Sequence, residues 1–176
     1  MPRMKQAIAA HNLLQAIRKR IVDGEGPLHG YSAAAAAAGY TTNAKDAGRA
    51  MGQVTSRIHL AAFYAGLPML AVHWVRNSDG KINPASFPGT WAPYKDEIEN
   101  VAAAHVWSVN DVDIVLAKMH STLDSDEGAV TLWKHVESRR LDTPGFVEHY
   151  PWAAAADPTP GEQGSSRSPA ASGWRR

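Results

Sequence analysis

The sequence predicts a mainly α-helical protein with one small β-hairpin. Two segments with apolar residues at three- and four-residue steps flank a run of six alanines, and a stretch rich in strand-forming residues follows them. The chain has 176 residues, 44% of them hydrophobic, which is enough to bury the core of one domain of ordinary size. We therefore predict one domain over residues 1–152. Residues 153–176 offer little apolar surface, and we expect this tail to be disordered.

The first two predicted helices differ in kind. From Met4 to Val22, apolar residues hold helical spacing with polar residues between them, and Gly24 then stops the helix. The second helix contains the alanines 33–38 and ends at Gly39. Alanine combines the highest helix propensity with a very small side chain, so another backbone can approach this helix closely.

A long third helix is the strongest periodic signal in the chain. Its apolar positions run from Ala47 to Ala65, after a cap at Thr42 or Asn43, and Gly66 follows them. The opposite face is polar and basic, and consists of Lys45, Arg49, Gln53, Ser56 and Arg57. We expect this face to be open to solvent or to a ligand.

A β-hairpin is predicted over residues 69–82. The segment 69–75 is rich in strand-forming residues and predicts the first strand, while residues 77–80, Asn-Ser-Asp-Gly, predict the turn. Lys81 and Ile82 would begin the returning strand.

Three further helices are predicted after the hairpin, as a helical C-terminal extension. One runs from Tyr94 to His105, the next is capped by Ser108 or Asn110, and the last covers residues 129–141.

The order of these elements is that of a winged helix-turn-helix. In that architecture the second helix of the motif enters the major groove of DNA, and the hairpin touches the DNA backbone. We therefore predict that double-stranded DNA contacts the helix 43–65 and the hairpin 69–82. The candidate residues are polar or basic side chains able to contact phosphates or base edges, namely Ser32, Thr42, Asn43, Lys45, Arg49, Gln53, Arg57, Arg76, Asn77 and Lys81.

Charge is distributed unevenly along the chain, although the net charge is only +1. Residues 1–81 carry ten Lys or Arg against four Asp or Glu, whereas residues 82–157 carry five against twelve. The basic half could face a polyanion, or it could instead be matched internally by the acidic half. Both interpretations stand at this point.

The residue types exclude several kinds of chemistry. The chain contains no cysteine, so disulfides, thiolate metal sites and cysteine nucleophiles are excluded. The sequence contains no nucleophile elbow or glycine-rich phosphate loop, and the histidines beyond residue 100 lack zinc-ligand spacing. We interpret His73 and Trp74 as packing residues on the first hairpin strand, and His11 and His59 as core or boundary residues. We predict a non-enzymatic protein without a cofactor or a metal.

Four segments carry a resemblance to a known family. They are residues 31–39 (YSAAAAAAG), 43–51 (NAKDAGRAM), 66–70 (GLPML) and 76–80 (RNSDG). Together they resemble the carboxy-terminal DNA-binding domain of the O6-alkylguanine-DNA alkyltransferases and of the alkyltransferase-like proteins. The resemblance covers about fifty residues of the 176.

The resemblance implies a particular use of the third helix. In this family the corresponding helix enters the minor groove, and an arginine near its start takes the place of a flipped base; Lys45 lies nearest that position here.

The family's active-site motif is Pro-Cys-His-Arg or Pro-Trp-His-Arg. It should fall where this chain has residues 71–75, AVHWV, which match neither form. Alkyl transfer is therefore excluded. The long helix followed by Gly-Leu-Pro is closer to alkyltransferase-like winged-helix domains of bacterial proteins that occur beside HNH nuclease or restriction modules.

Two functional hypotheses remain open. The protein is either a non-catalytic DNA-binding module or a regulatory factor that retains the scaffold and binds a protein partner through its acidic helices, residues 94–127. In the second case it would act as a DNA mimic, or as a partner of a nuclease or secretion component. The sequence shows no secretory leader and no run of about 20 apolar residues, so we expect a cytoplasmic protein that does not cross a membrane.

Overall fold

A computed structural model describes residues 6–41, 44–81 and 95–122. Within these ranges the protein is mainly helical and contains one small sheet of two parallel strands. The elements in chain order are α1 (Gln6–Val22), β1 (Leu28–His29), α2 (Tyr31–Ala37), α3 (Ala44–Tyr64), α4 (Leu70–Trp74), β2 (Val75–Arg76), α5 (Lys95–Ala104) and α6 (Val109–Thr122). Among the helices described, none combines the length and the apolar character that a membrane span needs. The predicted helix 129–141 and the predicted tail lie outside the described residues.

The two helices before α3 end close to where the sequence predicts. Gly24 follows α1 with φ 68° and Gly39 follows α2 with φ 88°, left-handed conformations that glycine adopts without steric cost. The small side chains of α2 let it pack closely against α1 and α3, and three of the alanines near its end are at most 1% exposed: Ala34, Ala35 and Ala38.

The central element of the core is α3. Four helices, α1, α2, α4 and α6, pack against it. Every residue from Val54 to Phe63 is buried. The polar residues in this stretch include Thr55 and Ser56, whose hydroxyls each donate a hydrogen bond of 2.7 Å to the carbonyl of the residue four positions earlier. The helix therefore satisfies these hydroxyls internally and buries its whole circumference.

The predicted first strand of the hairpin is wrong. Residues Leu70–Trp74 form the short helix α4, and all of them except His73 are buried. A short apolar run that is buried on every side has no alternation to separate a strand from a helix. Extended backbone begins only at Val75.

The strand that follows α4 pairs with an earlier part of the chain. Leu28 lies opposite Val75, and His29 lies opposite Arg76, in a parallel arrangement. The small sheet that the structure describes is therefore a parallel pair, and Ile82 of the predicted returning strand lies outside the described residues. The predicted turn itself is confirmed, because the amide of Gly80 donates to the carbonyl of Asn77 at 3.0 Å.

The last two described helices confirm the sequence prediction closely. Ser108 caps α6, since its Oγ accepts a hydrogen bond of 3.2 Å from the amide of Asp111, and the Asp111 carboxylate accepts one of 2.8 Å from the amide of Ser108.

α6 runs antiparallel to α1. At one end Arg18 pairs with Asp113 at 2.8 Å, and at the other the rings of His11 and His120 lie 5.3 Å apart.

Candidate nucleic-acid interface

The predicted DNA-contact residues on α2 and α3 lie in different environments. Ser32 is exposed in the first turn of α2, and Gln53 is half-buried near the middle of α3. The backbone at positions 45 and 49 belongs to the first two turns of α3. Outside the described part of the structure lie Thr42, Asn43 and the side chains of Lys45 and Arg49.

Arg57 does not lie on the predicted basic face. Its side chain is 1% exposed, and the neighbouring Ser56 is 6% exposed. The physical reason is that helices surround the second half of α3, so polar residues at helical spacing are covered there as fully as apolar ones. The prediction that Arg57 contacts DNA is corrected by this burial.

The turn after β2 combines one internally paired cation with one exposed cation. Arg76 is largely buried, and its Nη1 donates to the Glu99 carboxylate on α5. Its side chain is therefore held inside the molecule and does not lie on a contact surface. Lys81 is exposed, with Nζ 3.8 Å from the Asp79 carboxylate, and its carbonyl accepts a hydrogen bond of 2.7 Å from the half-buried Asn77.

The first half of α3 presents two glycines toward open space. A Cβ atom built at Gly48 or at Gly52 would meet no other atom within 4 Å. The two residues are one helical turn apart and therefore share a face. Internal packing does not require glycine at either position, although glycine in a helix costs about 1 kcal/mol relative to alanine. This face of α3 is slim, half-buried at both glycines, and has room for a larger side chain.

The two oppositely charged halves of the sequence are in part matched internally. Arg18 pairs with Asp113, and Arg76 pairs with Glu99, so each ion pair joins the basic half to the acidic half. Three other cations of the basic half pair with acids close to them in sequence, namely Lys19, Arg20 and Lys81. Internal matching, one of the two interpretations, therefore accounts for part of the charge asymmetry.

A second group of aromatic and titratable side chains gathers where α4 packs against α5, close to the start of α6. We call it the His73 cluster, and it consists of His73, Trp74, Arg76, Glu99, His105, Trp107 and Asp111. The Trp107 ring centroid lies 4.4 Å from that of His105 and 6.4 Å from that of His73. The Trp107 indole nitrogen donates a hydrogen bond of 2.9 Å to the carbonyl of Ala102. The tryptophan thus bridges the two histidines at the end of α5.

The electrostatics of the His73 cluster favour a neutral His73. Burial lowers the pKa of the His73 imidazole below its ordinary value of 6.5, and the nearby Arg76 and His105 lower this pKa further. The Nδ1 atom of His73 is buried and has no hydrogen-bond partner within the described residues. His105, by contrast, lies with Nε2 3.4 Å from the Asp111 carboxylate.

Sequence reasoning missed this cluster because its members are far apart in the chain and belong to different elements. The interpretation of His73 as a strand residue was wrong, although Trp74 is a packing residue, at 6% exposed. His59 at 1% exposed and the half-buried His11 agree with the predicted core and boundary positions. One local signal for the cluster was available in the sequence, because His105 and Trp107 stand just before the predicted helix cap Ser108. Among the described residues, no group of three or more His, Cys, Asp or Glu side chains is arranged to hold a metal ion.

Comparison with known protein families, with curated proteins and with solved structures found no match to this chain.

Proposed function

We propose that this protein is a non-catalytic DNA-binding protein with a winged-helix-like core, and that the first half of α3 and the turn 77–81 contact duplex DNA. The observation that carries the proposal is the division of α3. Residues 54–63 are wholly buried, whereas Gly48 and Gly52 in the first half face open space. The second half of α3 is therefore anchored in the core, whereas the first half leaves free space at these two glycines.

The composition of the first half of α3 fits a nucleic-acid contact. Lys45 and Arg49 are four positions apart on α3 and so belong to one side of the helix, beside the face of Gly48 and Gly52. Cations neutralise phosphates, and small residues let a helix backbone come close to a groove. Ser32, exposed at the start of α2, supplies a hydroxyl able to contact a phosphate.

The internal ion pairs weaken the alternative in which the acidic helices bind a protein partner. Glu99, Asp111 and Asp113 are engaged within the molecule, with Arg76, His105 and Arg18 respectively. These carboxylates stabilise the contacts of α5 and α6 with the rest of the chain. Because these three carboxylates are engaged internally, we keep DNA as the proposed ligand.

The test is equilibrium binding to a labelled DNA duplex at several salt concentrations. We expect affinity to fall as salt rises, and we expect the variant Lys45→Ala with Arg49→Ala to lower the slope of log affinity against log salt by about 2. The matched control is Lys19→Ala with Arg20→Ala, which removes the same charge from α1 and should leave the slope near the wild-type value. Absence of duplex binding at low salt would refute the proposal, as would equal effects of the two double variants.

A further inference from the structure

The His73 cluster contains a half-buried histidine whose Nδ1 atom has no partner for a proton among the described residues. The Nδ1 atom of His73 is out of contact with water and has no hydrogen-bond partner among the described residues. A neutral imidazole can leave this nitrogen as an unused acceptor at modest cost. A protonated imidazole carries a charge and a donor there, and burying both without a partner is far more costly.

The charged groups around His73 oppose its protonation. On β2, the Nε atom of Arg76 donates a hydrogen bond of 3.2 Å to the carbonyl of His73. The carboxylate of Glu99 on α5 is committed to Arg76, and that of Asp111 on α6 is committed to Ser108 and His105. Other charged or titratable groups on elements that pack nearby include the buried Arg57 and His59 of α3, the exposed His29 of β1, and Lys95, Asp96 and Glu97 in the first turn of α5.

Within the described residues, the segment 105–108 between α5 and α6 contacts His73 through the ring of Trp107. Val106 in this segment is 89% exposed, so it contributes little packing. Trp107 is half-buried, and among the described contacts it is held by one hydrogen bond to Ala102 and by ring contacts with His73 and His105. Movement of this segment would give the buried Nδ1 atom of a protonated His73 access to water.

We propose that His73 is the proton-sensitive element of a latch, and that its protonation releases Trp107 and the segment 105–108 from α4. At a pH above the titration of His73 the latch is closed, with Trp107 beside a neutral imidazole. At a lower pH the segment 105–108 opens and admits water to the Nδ1 atom of the histidine. The device belongs to the fold itself and does not depend on DNA binding.

The direction of the pH effect follows from the lowered pKa of His73. The unfolded chain takes up this proton near its ordinary pKa of 6.5, whereas the folded chain takes it up at a lower pH. The contribution of neutral His73 to stability is therefore fully present above about pH 6.5 and is lost progressively as the pH falls below that value. The open latch should accumulate in the same acidic window.

The experiment follows Trp107 directly by ¹⁹F NMR in full-length protein labelled with 5-fluorotryptophan. Loss of one resonance in Trp107→Phe assigns the signal. Between about pH 7.5 and about pH 5, we expect this resonance to move to a solvent-exposed position, with a midpoint below 6.5 that coincides with the titration of the His73 imidazole. In His73→Gln the Trp107 resonance should stay at its closed position throughout, while the control His120→Gln should behave like the wild type.

Three outcomes would overturn the latch. The first is a Trp107 resonance that does not move in the wild type. The second is the same transition, with the same midpoint, in His73→Gln. The third is a pH midpoint of the Trp107 transition that differs from the midpoint of His73 titration, which would mean that another group takes up the proton. This outcome needs only the wild-type protein, so it can be observed even if His73→Gln does not fold.

Discussion

The two halves of α3 lie on one continuous helix but have opposite environments. From Val54 onward, apolar and polar residues are covered alike, and even Arg57 is 1% exposed. Before Val54, Met51 is still buried, but Gly48 and Gly52 are half-buried and a Cβ at either would have free space around it. Neighbouring elements, and not the polarity of the residues, therefore decide which part of this helix faces solvent.

The contrast can be tested by substitutions whose effects on stability should differ in size and in sign between the two halves. The largest effect should come from Phe63, which is 1% exposed. Phe63→Ala should lower the free energy of unfolding by about 3 to 5 kcal/mol, because it removes buried apolar surface and leaves a cavity. Urea denaturation measures the change. Ser32→Ala, at an exposed site, is the control and should stay within about 0.5 kcal/mol of the wild type.

A smaller effect, of the opposite sign, is expected in the first half. Gly48→Ala and Gly52→Ala should each raise the free energy of unfolding by about 0.5 to 1 kcal/mol, because a Cβ meets nothing there and the unfolded chain loses conformational freedom. The same urea titrations report the gain. If the slim face approaches DNA closely, both variants should also bind duplex more weakly despite being more stable. Destabilisation by either variant would show that this face is covered.

The smallest effect is expected at the boundary between the halves. Ser56 donates its hydroxyl to the carbonyl of Gly52, which already belongs to the helical ladder. Ser56→Ala should change the free energy of unfolding by less than about 1 kcal/mol, since the lost hydrogen bond is offset by the higher helix propensity of alanine. Thermal unfolding followed by circular dichroism gives the value. A loss of several kcal/mol would mean that the hydroxyl holds more than its own helix.

Helix positions could be predicted from the sequence because they depend on local signals. Spacing of apolar residues located α1 and α3, and the Ser108 cap located the start of α6. Gly24 and Gly39 marked the ends of α1 and α2, where the backbone turns left-handed. Each of these signals lies within a few residues of the feature it predicts.

Features that depend on distant parts of the chain could not be predicted in this way. The segment 69–75 looked like a strand because a helix of five residues that is buried at every position except His73 leaves no periodic trace. Arg57 was predicted as exposed because its spacing matched Gln53, and only the packing of other helices around α3 shows otherwise. The His73 cluster joins residues from four elements and the segment 105–108, and nothing in their spacing brings them together.

The antiparallel pairing of α1 with α6 sets the moment at which this core can assemble during synthesis. Arg18 and Asp113 are 95 positions apart, so α1 must wait for most of the described chain before its partner exists. Until α6 has left the ribosome, one side of the buried half of α3 has no cover. A nascent chain that stalls between α5 and α6 would therefore present that side to chaperones and proteases.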